Sequence, residues 1–209
     1  MKLKWHGHSC FSMTFSNGTT LVTDPFDDTV GYPLCTIRAD AVLSSHDHFD
    51  HNHIQSITGN PVMINKPGTC MLGGVKITGT HAFHDPEQGK LRGENVIFVA
   101  EADGLRIAHL GDLGHMPNAN QLAAIKDVDV LLIPIGGTFT VTTPQAVEII
   151  AQAKPHTAIA MHYQNAYCTF PISDEKEFVQ LTGAAVLENE IEITRETLGD
   201  LPAAAVMKF

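Results

Sequence analysis

The chain has 209 residues, 44% of them hydrophobic and 17% charged, with a formal net charge of −10. That length suits one domain, and the balance is the reverse of what extended disorder requires. The acidic surplus, 13 Lys plus Arg against 23 Asp plus Glu, argues against nucleic acid as a partner, which calls for a basic face, and against an anionic membrane surface.

Met1 to His6 has no apolar h-region, so no signal peptide is expected. No apolar run approaches the roughly 18 residues of a span. Leu3 to Phe15 reads as two short strands broken near Gly7. Asn17-Gly18 is a hairpin signal, with Thr20 to Thr23 as the return strand and Asp24-Pro25 ending it. Residues 25–38 form a long loop containing Gly and Pro. Ala41 to Leu43, Pro61 to Ile64, Cys70 to Leu72 and Val75 to Thr78 are further strands, and Asp103-Gly104 joins Asn95–Ala100 to Leu105–Leu110. Ala119 to Lys126 is helical and Val128 to Ile135 a buried strand. Thr143-Pro144 opens a helix reaching about Ala153, with Thr143 as N-cap. Thr157 to Met161 is a strand, Ser173 to Glu177 a capped helix start, and Glu190 to Thr194 a last alternating strand. The tail from Leu198 carries no readable pattern. Hairpins early and strand–helix alternation late predict an α/β (α+β) domain spanning 1–209, with mixed sheets and helices on their outer faces.

Cys10, Cys35, Cys70 and Cys168 are widely spaced with no C-x-x-C pair, which predicts reduced, mostly buried thiols in a cytoplasmic protein. Histidine is the unusual count, 12 in all, and imidazole is the commonest metal ligand. The chemistry concentrates in Ser45-His46-Asp47-His48-Phe49-Asp50-His51. Three imidazoles and a carboxylate so close together go unsatisfied unless a cation organises them. The segment also follows a strand directly, where such sheets build their sites. One loop cannot close a coordination shell. His84, Asp112 and His162 each stand just past a predicted strand and are candidates to complete it.

His46-x-His48-x-Asp50-His51, a spaced His, Gly111-Asp112 and a late His resemble the metallo-β-lactamase superfamily of two-metal hydrolases. Trp5-His6-Gly7-His8-Ser9-Cys10-Phe11, Thr23-Asp24-Pro25-Phe26, Gly136-Gly137-Thr138 and Met161-His162-Tyr163 are similar to an uncharacterised metal-dependent hydrolase branch. That branch is related to L-ascorbate-6-phosphate lactonases and, more distantly, to N-acyl-phosphatidylethanolamine phospholipase D. The resemblance covers about residues 2–195 and implies a four-layer αββα sandwich. It also implies two divalent transition-metal ions: His46, His48 and His84 hold the first, Asp50, His51 and His162 the second, and Asp112 bridges them. His84 is preferred to His81 because Thr80-His81-Ala82-Phe83-His84 matches the family pattern at its last His.

Five imidazoles and two carboxylates without thiolate suit Zn or Mn, with Fe a further option. Two such ions acidify a water held between them. Asp50 is given a second role in orienting that water. His8 is placed near the metals by the resemblance, and His115 is a candidate to face substrate or protonate a leaving group. Asp24 either fixes a ligand imidazole or caps the turn beside Pro25. Tyr32, Arg38, Lys66, Arg92, Phe139 and Tyr163 are candidate substrate contacts, and residues 25–38 a candidate mouth. The expected activity is hydrolysis of a small, anionic ester, lactone or phosphodiester, with homo-oligomer formation left open. The alternatives are a di-iron redox protein of the same fold, disfavoured because its motif has Glu where this chain has His48, and a non-catalytic metal- or ligand-binding module.

Overall fold

A computed structural model describes all residues 1–209. In chain order the strands are β1 (Lys2–Gly7), β2 (Cys10–Thr14), β3 (Thr20–Thr23), β4 (Ala41–Leu43), β5 (Val62–Ile64), β6 (Gly68–Leu72), β7 (Val75–Phe83), β8 (Glu94–Ala102) and β9 (Leu105–His109). There follow α1 (Ala119–Ile125), β10 (Val130–Pro134), α2 (Thr143–Ala153), β11 (Thr157–Met161), α3 (Lys176–Thr182), β12 (Ala185–Leu187), β13 (Glu190–Glu192) and β14 (Ala204–Met207).

Two mixed sheets result. The first runs β13-β1-β2-β3-β4-β5 and the second β12-β14-β11-β10-β9-β8-β7-β6. Residue alternation explains how they face each other. Leu3 and Trp5 pair with Met13 and Phe11, all four are buried, and the Phe11 ring meets His109 of the second sheet. Strands β10 and β11 are instead buried at every residue, as parallel strands covered on both faces must be. Their outer cover is helical: α1 packs on β7 and β8, α3 on β14, and α2 against both helices. The outer face of the first sheet carries no α-helix. There Cys35, from the long loop, lies against Cys10 and His6, so one outer layer of the expected sandwich is reduced to loop and a 3-10 turn at Ile54–Ser56.

Three local expectations need correction. Helix α2 is capped by Thr142, not Thr143: the Thr142 hydroxyl accepts from Gln145 N while the Gln145 side chain accepts from Thr142 N, a reciprocal box. Thr143 turns inward and donates to Ile135 O. Helix α3 begins at Lys176 with no side-chain cap on its N-cap residue, Glu175. The unreadable tail supplies β14, inserted between β11 and β12 and buried throughout.

Candidate metal centre

Six strands deliver the site, because each ends at the same edge of the sandwich. His8 follows β1, Asp24 follows β3, the 44–51 loop follows β4, His84 follows β7, Asp112 stands three residues past β9, and His162 follows β11. The donor atoms of His46, His48 and His84 lie within 4.8 Å of one another. Those of His8, Asp50, His51 and His162 form a second such group, and those of His46, His51 and Asp112 a third linking the two. Asp112 reaches across: Oδ1 lies 3.3 Å from His51 Nε2, and Oδ2 lies 3.4 Å from His84 Nε2 and 3.1 Å from His162 Nε2. The seven sequence-predicted ligand positions are thus brought together. His81 points elsewhere, 3.5 Å from Glu94.

Rings are fixed from behind. Ser45 Oγ holds His46 Nδ1 at 2.9 Å, and Asp24 Oδ2 accepts from His51 Nδ1 at 2.9 Å and from Ser45 Oγ at 2.7 Å. Asp24 Oδ1 also accepts from Ser45 N at 2.7 Å. Of the two roles weighed for Asp24, the imidazole contact is therefore present, and it leaves Nε2 of His51 facing the cluster. Asp112 has its own bracket: Asn95 Oδ1 accepts from Asp112 N at 3.0 Å while Asn95 Nδ2 donates to Leu110 O at 2.9 Å. Gly111 makes this approach feasible. It sits at φ 54°, and a Cβ there would fall 2.3 Å from Asn95 Oδ1 and 2.5 Å from Ser45 Cβ.

Burial and charge act jointly on these groups. Burial pushes His46 well toward its neutral form and His84 in the same direction, and takes His8 down to about 4, with the nearby His162 adding to the effect. Burial also opposes charge on His51, yet Asp112, Asp50 and Asp24 around it raise its pKa well above the ordinary value. Burial works against the Asp112 and Asp50 carboxylates too, but the surrounding imidazoles hold both far below the usual range. Three carboxylates, Asp24, Asp50 and Asp112, thus converge on one buried imidazole, His51. Seven buried side-chain polar atoms lack hydrogen-bond partners, and five belong to His46, His51, His84, Asp112 and His162. Buried polar groups are rarely left unsatisfied.

Other sequence candidates divide. His8 Nε2 lies 3.2 Å from Asp50 Oδ2. His115 is corrected: Nδ1 donates to Met116 O at 2.8 Å and Nε2 accepts from Phe83 N at 3.2 Å, so its ring staples a loop and has no nitrogen left for a leaving group. Tyr32 and Tyr163 are buried beside Trp5, and Arg38 is an exposed residue bridged to Thr58. None of the three lines the cavities at the cluster. Residues 25–38 are a brace, not a mouth: Asp27 N donates to Phe49 O and Pro25 O accepts from His53 N. The mouth consists of two adjoining cavities. One, of about 360 Å³, opens over Asp50, Asp112 and His162 between Phe49, Phe139 and Phe170. The other, of about 540 Å³, runs from His46 and His48 toward Lys66.

Asn95, Phe170 and Asp85 escaped the sequence reading. Asp85, next to His84, accepts from the backbone N–H of Glu87, Gly89, Leu91 and Arg92 at 2.8–3.0 Å. The available signal was an Asp-Pro followed by Gly89 and Gly93, the composition of an Asx-organised loop.

Residues 2–162 match a family model described as a beta-lactamase superfamily domain. A UPF0173 metal-dependent hydrolase of Thermoplasma volcanium is 31% identical, over 88% of this chain and 92% of that one. The crystal structure of a candidate Zn-dependent hydrolase of the metallo-beta-lactamase superfamily from Thermotoga maritima superposes with a TM-score of 0.83 at 35% identity, covering 99% of this chain and 97% of that one. CmlA, a diiron β-hydroxylase from Streptomyces venezuelae, shares the fold alone, with a TM-score of 0.58 at 16% identity over 77% of this chain and 44% of that one. With its motif residues gathered at one sandwich edge and these likenesses along its length, the chain belongs to the metallo-β-lactamase superfamily, among the UPF0173 metal-dependent hydrolases.

Proposed function

We propose that the chain hydrolyses a small ester, lactone or phosphodiester using two divalent transition-metal ions, zinc or manganese first and iron as a further option. The observation that carries this is the concentration of unpartnered buried donors in one His/Asp cluster. The residues fit such ions, since imidazoles and carboxylates without thiolate are their ligands and the convergence of Asp24, Asp50 and Asp112 on His51 calls for positive charge. His46, His48 and His84 would hold one ion and Asp50, His51 and His162 the other, with Asp112 shared.

Bound ions would supply a water acidified to near neutral pH and would polarise the target oxygen. The rest is the chain's own work. Ser45 and Asp24 fix two imidazole orientations, the support on which ligand basicity depends. His8, neutral at physiological pH, donates from Nε2 to Asp50 Oδ2 and holds that carboxylate in place. Asp50 orients the attacking water, so His8 and Asp50 act as one unit. Phe49, Phe139 and Phe170 wall the site and limit competing water. A small anion is the expected substrate despite the net charge of −10, because bound cations dominate the local field. No helix is long and apolar enough to cross a membrane; the four free cysteines are what supports placing the activity in a reducing compartment, the cytoplasm.

Metal analysis of the purified protein should find close to two transition-metal ions per chain. Chelation should abolish turnover across a panel of phosphodiesters, lactones and thioesters, and Zn or Mn should restore it. Full activity without metal would refute the reading.

A further inference from the structure

The two cavities at the cluster share His48 and Arg92. Arg92 is half-buried at their junction, and its position is built from both ends. Its backbone N–H donates to the buried Asp85 carboxylate at 2.8 Å. Its guanidinium donates to Thr138 O at 3.2 Å and lies 5.6 Å from the centre of the Phe139 ring. A guanidinium has five N–H donors in a rigid fork, and one contact to a carbonyl leaves most of them free. No acidic side chain pairs with Arg92 or with Lys66 across the larger cavity, although both line it with Asp47 and Glu94. Those two acids are directed elsewhere: Asp47 accepts from Asn52 Nδ2, and Glu94 lies 3.5 Å from His81 Nε2. The smaller cavity contrasts in chemistry. Phe49 and Phe170 meet edge to face at 6.3 Å, with Phe139 and Pro171 completing an apolar slot.

Resting on the hydrolase reading above, we propose that Arg92 determines specificity by gripping a carboxylate or phosphate on the substrate, whose flat apolar part lies in the Phe49–Phe139–Phe170 slot. The substrate class is then a small amphiphilic anion, an aryl or similarly flat group joined to an acidic one. Arg suits this because its planar fork matches both oxyanions in bidentate fashion, which the lysine ammonium cannot reproduce. Phe139 offers its ring face to the guanidinium, and Asp85 holds the loop that carries it. Lys66, exposed on the far side of the larger cavity, is a secondary attraction for the same charge.

The test is calorimetric binding of three probes to metal-loaded protein: benzylphosphonate, methylphosphonate and benzyl alcohol. Wild type should bind benzylphosphonate more tightly than either fragment. Arg92→Met should weaken benzylphosphonate by about ten- to a hundredfold, the usual weight of hydrogen bonds to a charged group. It should leave benzyl alcohol and metal content unchanged. Arg92→Lys, which keeps the charge and bulk, should recover only part of the loss. In turnover, Arg92→Met should raise KM for anionic aryl esters far more than for neutral ones. Equal benzylphosphonate affinity in wild type and Arg92→Met, or no preference for benzylphosphonate over benzyl alcohol in wild type, would overturn the proposal. If no substrate is turned over, the hydrolase reading fails while the binding series still decides the role of Arg92.

Discussion

Three site residues hold backbone angles that side chains seldom adopt: His8 at φ 49°, Asp24 at 39° and His162 at 52°. Each immediately follows a strand, and the left-handed residue reverses the chain so that the side chain turns back over the sheet edge. Such positions cost on the order of 1–3 kcal/mol each and persist where the surroundings over-determine them. For Asp24 the surroundings are its three hydrogen bonds to Ser45 and His51. Asp24→Asn keeps the size but puts an amide where a carboxylate accepted from His51. Metal affinity should fall about 10–100-fold, the usual weight of such a partner, as read by competition with a chromophoric chelator. Asp112 differs because its two oxygens face histidines of both groups. Asp112→Ala should drop the metal content toward one ion per chain by elemental analysis, the ion lost being the one assigned to Asp50, His51 and His162, which offer only two imidazoles. Turnover should shift to higher pH and lose most of its rate. Two retained ions and near-normal turnover would remove Asp112 from its shared position.

At the scale of elements, the 85–93 loop is the clearest device. It has no helix or strand of its own, and the Asp85 carboxylate replaces the missing ladder by taking four N–H groups. Desolvation favours the protonated acid, but those donors outweigh it and hold the carboxyl below its ordinary value. A depressed folded pKa means stability that is complete above the unfolded value of about 3.9 and lost as pH falls through the folded one. The amide signals of Leu91 and Arg92 should therefore hold their positions by NMR from neutral pH down to about 4, then move together below it. Asp85→Ala should cost about 1–3 kcal/mol, because buried donors lose their acceptor, measured by denaturant unfolding. It should also scatter Arg92 and weaken anionic ligands without changing metal content. The α2 start shows how narrow a margin a cap has. Thr142 and Thr143 are chemically equivalent and adjacent, and only Gln145, three residues past Thr142, completes the reciprocal pair.

At the scale of the whole molecule, the last residues are structural. Strand β14 joins β12 to β11 by parallel pairing on both sides, and Ala204 to Met207 are all buried. Each buried Val or Met contributes about 1.5–3 kcal/mol, before lost sheet hydrogen bonds and the exposure of β11 are added. That total rivals the roughly 5–15 kcal/mol by which a native domain is stable. A chain ending at residue 202 should not show a cooperative thermal transition, whereas removal of Lys208 and Phe209 alone should lower Tm by only a few degrees. A truncated protein unfolding cooperatively near the full-length Tm would show that the sheet closes without its eighth strand.

The sequence by itself determined the local periods and the chemistry. Alternation over Leu3–Phe15, the Asn17-Gly18 and Asp103-Gly104 turns and the four-ligand run at His46–His51 are written in neighbouring residues, so short-range physics reads them. The placement of His84, Asp112 and His162 just past strands was legible for the same reason. What lies far apart in the chain was not. Asn95 reaches Asp112 across 17 residues and His8 reaches Asp50 across 42, and only sheet pairing sets those distances. His115 looked available because it follows Asp112 by three residues, yet side-chain direction depends on where the Phe83 and Met116 backbones pass. Strand β14 had no pattern to read, since a parallel strand buried on both faces shows no alternation; its neighbours β11 and β12 alone decide it. Arg92 was one candidate contact among several until folding brought Thr138 and Phe139 beside it. Composition names the groups able to do chemistry, and long-range packing decides which of them meet.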